Sequence, residues 1–199
     1  MRRLVIVFTT VLLLLAFASP AAAAPPVKTS GVFAQASAFS SSCTEQGGTT
    51  LCTDVFVDVF SFEDEFTDVC VGIFSYSIGP SGRFRSVSDT FGCSPGGPLS
   101  VAADGSAASL ASSDVQLVTC SRRACTEGDV VTVAADWTAI GTPFTYSGRT
   151  TFSDGTCTFR QSWNGVQSEA TSSFSIDGAD YEGGGFLVRE DVTVTERCR

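Results

Sequence analysis

Eight cysteines dominate the chemistry this sequence could support: Cys43, Cys52, Cys70, Cys93, Cys120, Cys125, Cys157 and Cys198. A zinc site would need paired C-x-x-C spacings or histidine co-ligands, and the sequence has neither, with 0 His in 199 residues. An even set of cysteines in an oxidising compartment reads instead as four disulfides. Of the roughly 105 pairings that eight cysteines allow, joining sequence neighbours is the simplest. Cys43 with Cys52 and Cys120 with Cys125 would close short loops, Cys70 with Cys93 would join the ends of a hairpin, and Cys157 with Cys198 would tie down the C-terminus.

The absence of histidine removes Ser-His-Asp, Cys-His and His-metal catalysis together. Lys28 is the only lysine, so a serine-lysine pair is equally implausible. What survives is a carboxylate pair, the apparatus of glycoside hydrolysis. Its candidates are Asp136 beside Trp137, Glu169, and the run Glu63, Asp64, Glu65 and Asp68. Adjacent strand residues face opposite ways, so Trp137 is expected inside and Asp136 in water. No catalytic residue is assigned, and the chain reads as noncatalytic, with a carboxylate-pair glycosidase as a rival.

The acidic run could gather oxygens around calcium, which takes about six to eight of them. Its spacing does not match the calcium-binding helix-loop-helix pattern, and it lacks the glycine for a sharp turn, so a solvated loop is expected, with no metal and no cofactor. Arg122 and Arg123, between Cys120 and Cys125, form the one basic spot. On a constrained loop they could serve as bait for a trypsin-like protease or touch an anionic wall polymer; the plain account is a surface turn. Tyr146, Trp163 and Tyr181 are the amphipathic aromatics suited to a carbohydrate platform. Packing is expected to claim Trp163, and Tyr181 is expected on a loop over residues 177–183.

Compartment follows from the N-terminus. Arg2 and Arg3, the apolar run from Leu4 to Phe17 and the small residues up to Ala24 make the three-part pattern of a secretory signal peptide. The run is shorter than the roughly 20 residues that span a bilayer. Residues 1–23 are expected to be removed, leaving 24–29 as a flexible tail and 30–199 as one β domain. Loss of Arg2 and Arg3 takes the net charge from −9 to −11. Phosphate binding on a nucleic acid needs clustered cations, so nucleic acid is not an expected partner. The expected product is secreted by a Gram-positive-type bacterial exporter, without membrane insertion after cleavage; its expected partner is an unidentified extracellular protein or glycan.

From residue 30 onward the apolar period is two. Val55, Val57 and Val59 face one way and Phe56, Phe60 and Phe62 the other. Turns are expected at Gly79–Gly82, at Asp104-Gly105, at Asp154-Gly155 and at Asn164-Gly165, because these residues tolerate the backbone angles of tight hairpins. About twelve short strands result, arranged as an antiparallel β-sandwich or flattened barrel stabilised by disulfides. The phenylalanines left after signal removal are expected to form the core, and Phe159, Gln161 and Trp163 to face inward. Similar strands ending at Cys120 and Cys198 suggest two related halves meeting near 120–125.

Overall fold

The computed structural model describes residues 25–63, 66–121 and 124–198; the expected signal peptide lies outside them. The described residues are all-β and antiparallel, with nine strands among them: β1 (Val27–Gln46), β2 (Thr49–Phe62), β3 (Phe66–Ile78), β4 (Phe84–Pro95), β5 (Leu99–Val101), β6 (Ala107–Ser121), β7 (Ala124–Ser153), β8 (Cys157–Ile176) and β9 (Ala179–Cys198). The sheet order is β4-β3-β2-β1-β9-β8-β7-β6-β5, and β4 also pairs with β6. The hydrogen-bond ladder therefore returns on itself through eight strands, with β5 attached to β6 outside the ring. The closing seam is short, matching Asp89, Thr90 and Phe91 with Cys120, Thr119 and Val118. Beside it a Cβ on Gly92 would stand 2.0 Å from the Gln116 carbonyl oxygen, so only glycine allows the two backbones to approach.

The strands are fewer and longer than the sequence suggests. Residues 130–138 and 144–152 belong to one strand, β7, whose ladder with β8 shifts register between Ile140 and Phe144. Asn164-Gly165 does not turn: Asn164 pairs with Ser147 and Asp191, and Gly165 with Tyr146 and Glu190, within a continuous β8. Ladders on both sides hold that dipeptide extended. The N-terminal tail also differs from expectation, because Val27, Lys28 and Thr29 pair with Glu196, Thr195 and Val194.

The core corrects a larger expectation. Val57, Val59, Val69, Val115, Val133 and Leu187 are fully buried, and among the described phenylalanines only Phe174 is buried. An eight-stranded ring encloses a space just wide enough for side chains to fill. Valines, alanines and leucines fill it around two large rings, Trp137 and Phe174, and the other described phenylalanines lie on the outer face. Trp137 is 1% exposed, and its Nε1–H donates to the Ser37 carbonyl at 2.8 Å, linking β7 to β1 through the interior.

All four disulfides join sequence neighbours: Cys43–Cys52, Cys70–Cys93, Cys120–Cys125 and Cys157–Cys198. Each joins residues directly opposite in a ladder. The upper end is defined by the β1–β2 turn and the lower end by Val27 and Cys198. In each half, β1–β4 and β6–β9, one clip joins the first two strands near the top and another the last two toward the bottom. This repetition divides the chain between β4 and β5, whereas residues 120–125 turn β6 into β7.

Candidate functional site

At the lower end four strands continue past the ring. Residues 27–32 of β1 have no β2 partner, and residues 144–153 of β7 have no β6 partner, while β9 and β8 lie paired between them. The result is a four-stranded sheet with two open edges and two faces of opposite chemistry.

Its outer face is aromatic. Phe144 stacks with Tyr146 at 6.0 Å between centroids, and Phe152 with Phe159 at 4.9 Å. Between these pairs Tyr146 stands opposite Gly165 and Trp163 opposite Gly148. A Cβ on Gly148 would lie 2.2 Å from the Trp163 ring, and one on Gly165 would lie 2.5 Å from the Tyr146 ring. Each ring thus lies down on the other strand's glycine and remains half-buried. Tyr146 Oη donates to Glu190 Oε1 at 2.6 Å; burial first, then this bond and the Glu190 charge, raise the phenol's pKa well above its usual 10.0.

The inner face, which continues the lining of the ring, is cationic and hydroxylated. Lys28, Thr195, Arg160 and Thr151 stand in one row across β1, β9, β8 and β7, and Ser30, Thr193, Ser162 and Arg149 in the row above. Arg197 follows on β9, opposite Thr158. Lys28, Arg149, Arg160 and Arg197 are exposed and make no ion pair among the described residues. Nearer the ring Arg189 pairs with Asp191 at 3.2 Å. These two, with Asn164 and Ser147, line a cleft of about 560 Å³ that the β5–β6 turn borders through Ala103.

The candidates from the sequence fall elsewhere or apart. Arg122 and Arg123 lie outside the described residues; Cys120 and Cys125, which flank them in the sequence, are bonded to each other. Tyr181 is not on a loop: it sits in β9 opposite Phe174, stacked on it at 5.2 Å and packed against the core. It therefore shares no surface with Tyr146 and Trp163. Phe159, Gln161 and Trp163 face outward, because Ser168, Ala170 and Phe174 of the same strand alternate with them and are buried inside. Glu63 and Asp68 border one cleft, and Asp64 and Glu65 lie outside the described residues. Trp137 is buried and Asp136 exposed. Asp136 stands opposite Ser173, four residues along β8 from Glu169. At about 3.3 Å per residue that is roughly 13 Å, beyond the about 5 to 9.5 Å of glycosidase pairs.

The cationic inner face is absent from the sequence reading, since its members are scattered from Lys28 to Arg197. The signal was the cystine: if Cys157 opposes Cys198, counting back along both strands places Arg160 opposite Thr195 and Thr158 opposite Arg197.

No family model matches the chain, and no curated protein matches it. Among solved structures, that of CghA has 7% identity and a TM-score of 0.15 over 84% of this chain and 88% of its own. The β domain of the Bordetella autotransporter BrkA has 9% identity and a TM-score of 0.16 over 85% of this chain and 98% of its own. Overlaps of that size carry no argument about this protein.

Proposed function

We propose that the protein is exported, oxidised outside the cytoplasm, and acts there as a noncatalytic binding protein for a glycan. Four disulfides in a chain that opens with a signal-peptide pattern support the compartment. Asp54, Asp58, Asp136 and Glu169 share the outer face with the aromatics, which weighs against a lipid-facing band.

The observation that carries the reading is the pair of rings laid flat on Gly148 and Gly165. An aromatic face is electron-rich, and the C–H faces of a pyranose are electron-poor, so a ring fixed parallel to the sheet offers a sugar a ready stacking surface. The cost of ordering those side chains has already been met by folding. On a glycan array the disulfide-intact protein should bind related sugars, and Trp163→Ala, assayed well below its own melting midpoint, should weaken that binding at least about tenfold, the scale of one lost aromatic anchor. A blank array, or binding indifferent to Trp163→Ala with Tyr146→Ala, would overturn the reading.

A protease-inhibitor reading has one supporting observation, the bond between Cys120 and Cys125, which flank Arg122 and Arg123 in the sequence. Inhibition of trypsin that disappears in Arg122→Ala/Arg123→Ala would favour it, and no inhibition at micromolar protein removes it.

A further inference from the structure

We propose that the inner face of the lower sheet is a second binding site, for an anionic polysaccharide, held by Lys28, Arg149, Arg160 and Arg197. The site uses the face opposite the aromatic platform and stands on separate observations.

Register fixes its shape. Arg160 is the diagonal neighbour of Arg149 across β8–β7 and of Arg197 across β8–β9, and Lys28 is the diagonal neighbour of Arg197 across β9–β1. Diagonal neighbours in antiparallel strands stand about 7–8 Å apart, so Arg149, Arg160 and Arg197 form a stripe about 15 Å long over three strands. That length exceeds one small anion and suits a chain with repeated charges. The open edges of β1 and β7 let such a chain run off either side.

Charge and chemistry agree. On a chain of net charge −9, these four cations have no carboxylate partner among the described residues. Like charges gathered without counter-ions repel, and a polyanion relieves that repulsion. Thr151, Ser162, Thr193 and Thr195 stand between the cations and can exchange hydrogen bonds with sugar hydroxyls. Strand alternation puts Tyr146, Phe152, Phe159 and Trp163 on the far face, so the cationic face lacks the stacking platforms that single-stranded nucleic acids use. A charged polysaccharide fits hydroxyls and cations without aromatics; a polynucleotide does not.

The test is binding of the disulfide-intact protein to polygalacturonate, with phosphomannan as a phosphate-bearing arm, fully methyl-esterified polygalacturonate as the uncharged control and single-stranded DNA as the rival polyanion. Polygalacturonate, phosphomannan or both should bind at about 50 mM NaCl and lose about tenfold in affinity by about 200 mM, as counter-ion release requires. Arg149→Gln/Arg160→Gln/Arg197→Gln should abolish most of that binding, Arg160→Lys should retain it, and Arg83→Gln/Arg85→Gln at the upper end should leave it unchanged. Should the triple variant fail to fold, Arg160→Gln with a wild-type melting midpoint serves in its place, with a several-fold loss expected. No binding to either charged polysaccharide, equal binding to the esterified control, tighter binding to DNA, or indifference to the arginine changes would overturn the proposal. Trp163→Ala separates the two sites: it should remove array binding and leave polyanion binding intact.

Discussion

At the lower end the strands that overrun the ring carry Lys28, Arg149, Arg160 and Arg197 on their inner face, whereas at the upper end β1, β2, β3 and β4 overrun it with Ser42, Thr53, Ser75 and Ser88 in the matching row. Both overruns are antiparallel sheets and both are clipped by a disulfide; the lower one also lays Trp163 on Gly148, whereas the matching contact of Phe56 on Gly72 lies within the ring. The upper overrun ties its outer carboxylate to a hydroxyl, Ser41 donating to Asp54 at 2.6 Å. The lower inner face leaves cations without partners. Common scaffolding with different terminal chemistry separates what the ring needs to stand from what the lower sheet presents.

The largest expected effect erases the comparison by undoing the interior that both ends share. Trp137→Ala should cost about 3–5 kcal/mol in urea unfolding, with hydrogen exchange rising at both ends. Trp137→Phe should cost about 1–3 kcal/mol, the penalty for leaving the buried Ser37 carbonyl without its donor. A change confined to one end would break the claim of a common core.

The next effect sets one end against the other through its clip. Replacing Cys157 and Cys198 by Ser opens a loop of 41 residues, and replacing Cys43 and Cys52 opens one of 9. Chain-entropy reasoning puts the losses at about 4 and about 2.5 kcal/mol. Calorimetry of the two variants reads the difference, and equal losses would mean that loop length does not govern it.

Smaller changes sharpen the contrast. Gly148→Ala should cost about 1–3 kcal/mol by pushing Trp163 off the backbone. It should weaken glycan binding, whereas Gly72→Ala, which displaces Phe56 by the same clash, should lower stability and leave binding alone. The smallest effect is in pH. The raised pKa of Tyr146 means that its contribution to stability is complete below the unfolded value of 10.0 and is lost as pH rises above it. An alkaline melt should therefore show a loss that Tyr146→Phe abolishes. At the acid end the N–H groups of Cys157 and Thr156 hold the Asp154 carboxyl below its usual 3.8, so the β7–β8 turn keeps that support above pH 3.8 and loses it as pH falls further. Asp154→Asn should flatten that acid dependence.

Strand chemistry and cystine pairing were legible in the sequence because both are local. Val55, Val57 and Val59 declare a face by alternation, and Cys120 and Cys125 are close enough in the chain to meet at a turn. Two further turns were equally local and were missed: Gly47-Gly48 and Asp177-Gly178 both have positive φ, at 59° and 77° and at 51° and 75°. Their Gly-Gly and Asp-Gly dipeptides carry the same signal that marked Asp154-Gly155. Closure was not legible, because the β4–β6 seam depends on how far the sheet curls. The phenylalanines were expected inside because alternation separates Val55, Val57 and Val59 from Phe56, Phe60 and Phe62 without saying which face is the interior, and the valine face is the buried one. The cationic face depended in turn on knowing which side of β8 is the inner one.

The cystines clip β1 to β2, β3 to β4, β6 to β7 and β8 to β9, so none of them crosses the junction between β4 and β6. Hairpin connections guard most of the other junctions, and the long β9–β1 zipper guards the one where the chain ends meet. The three-residue match at β4–β6 is thus the natural parting line of the molecule: under load or mild denaturant the cylinder should unroll there into a clipped ribbon, and re-form without any thiol exchange once the load is gone.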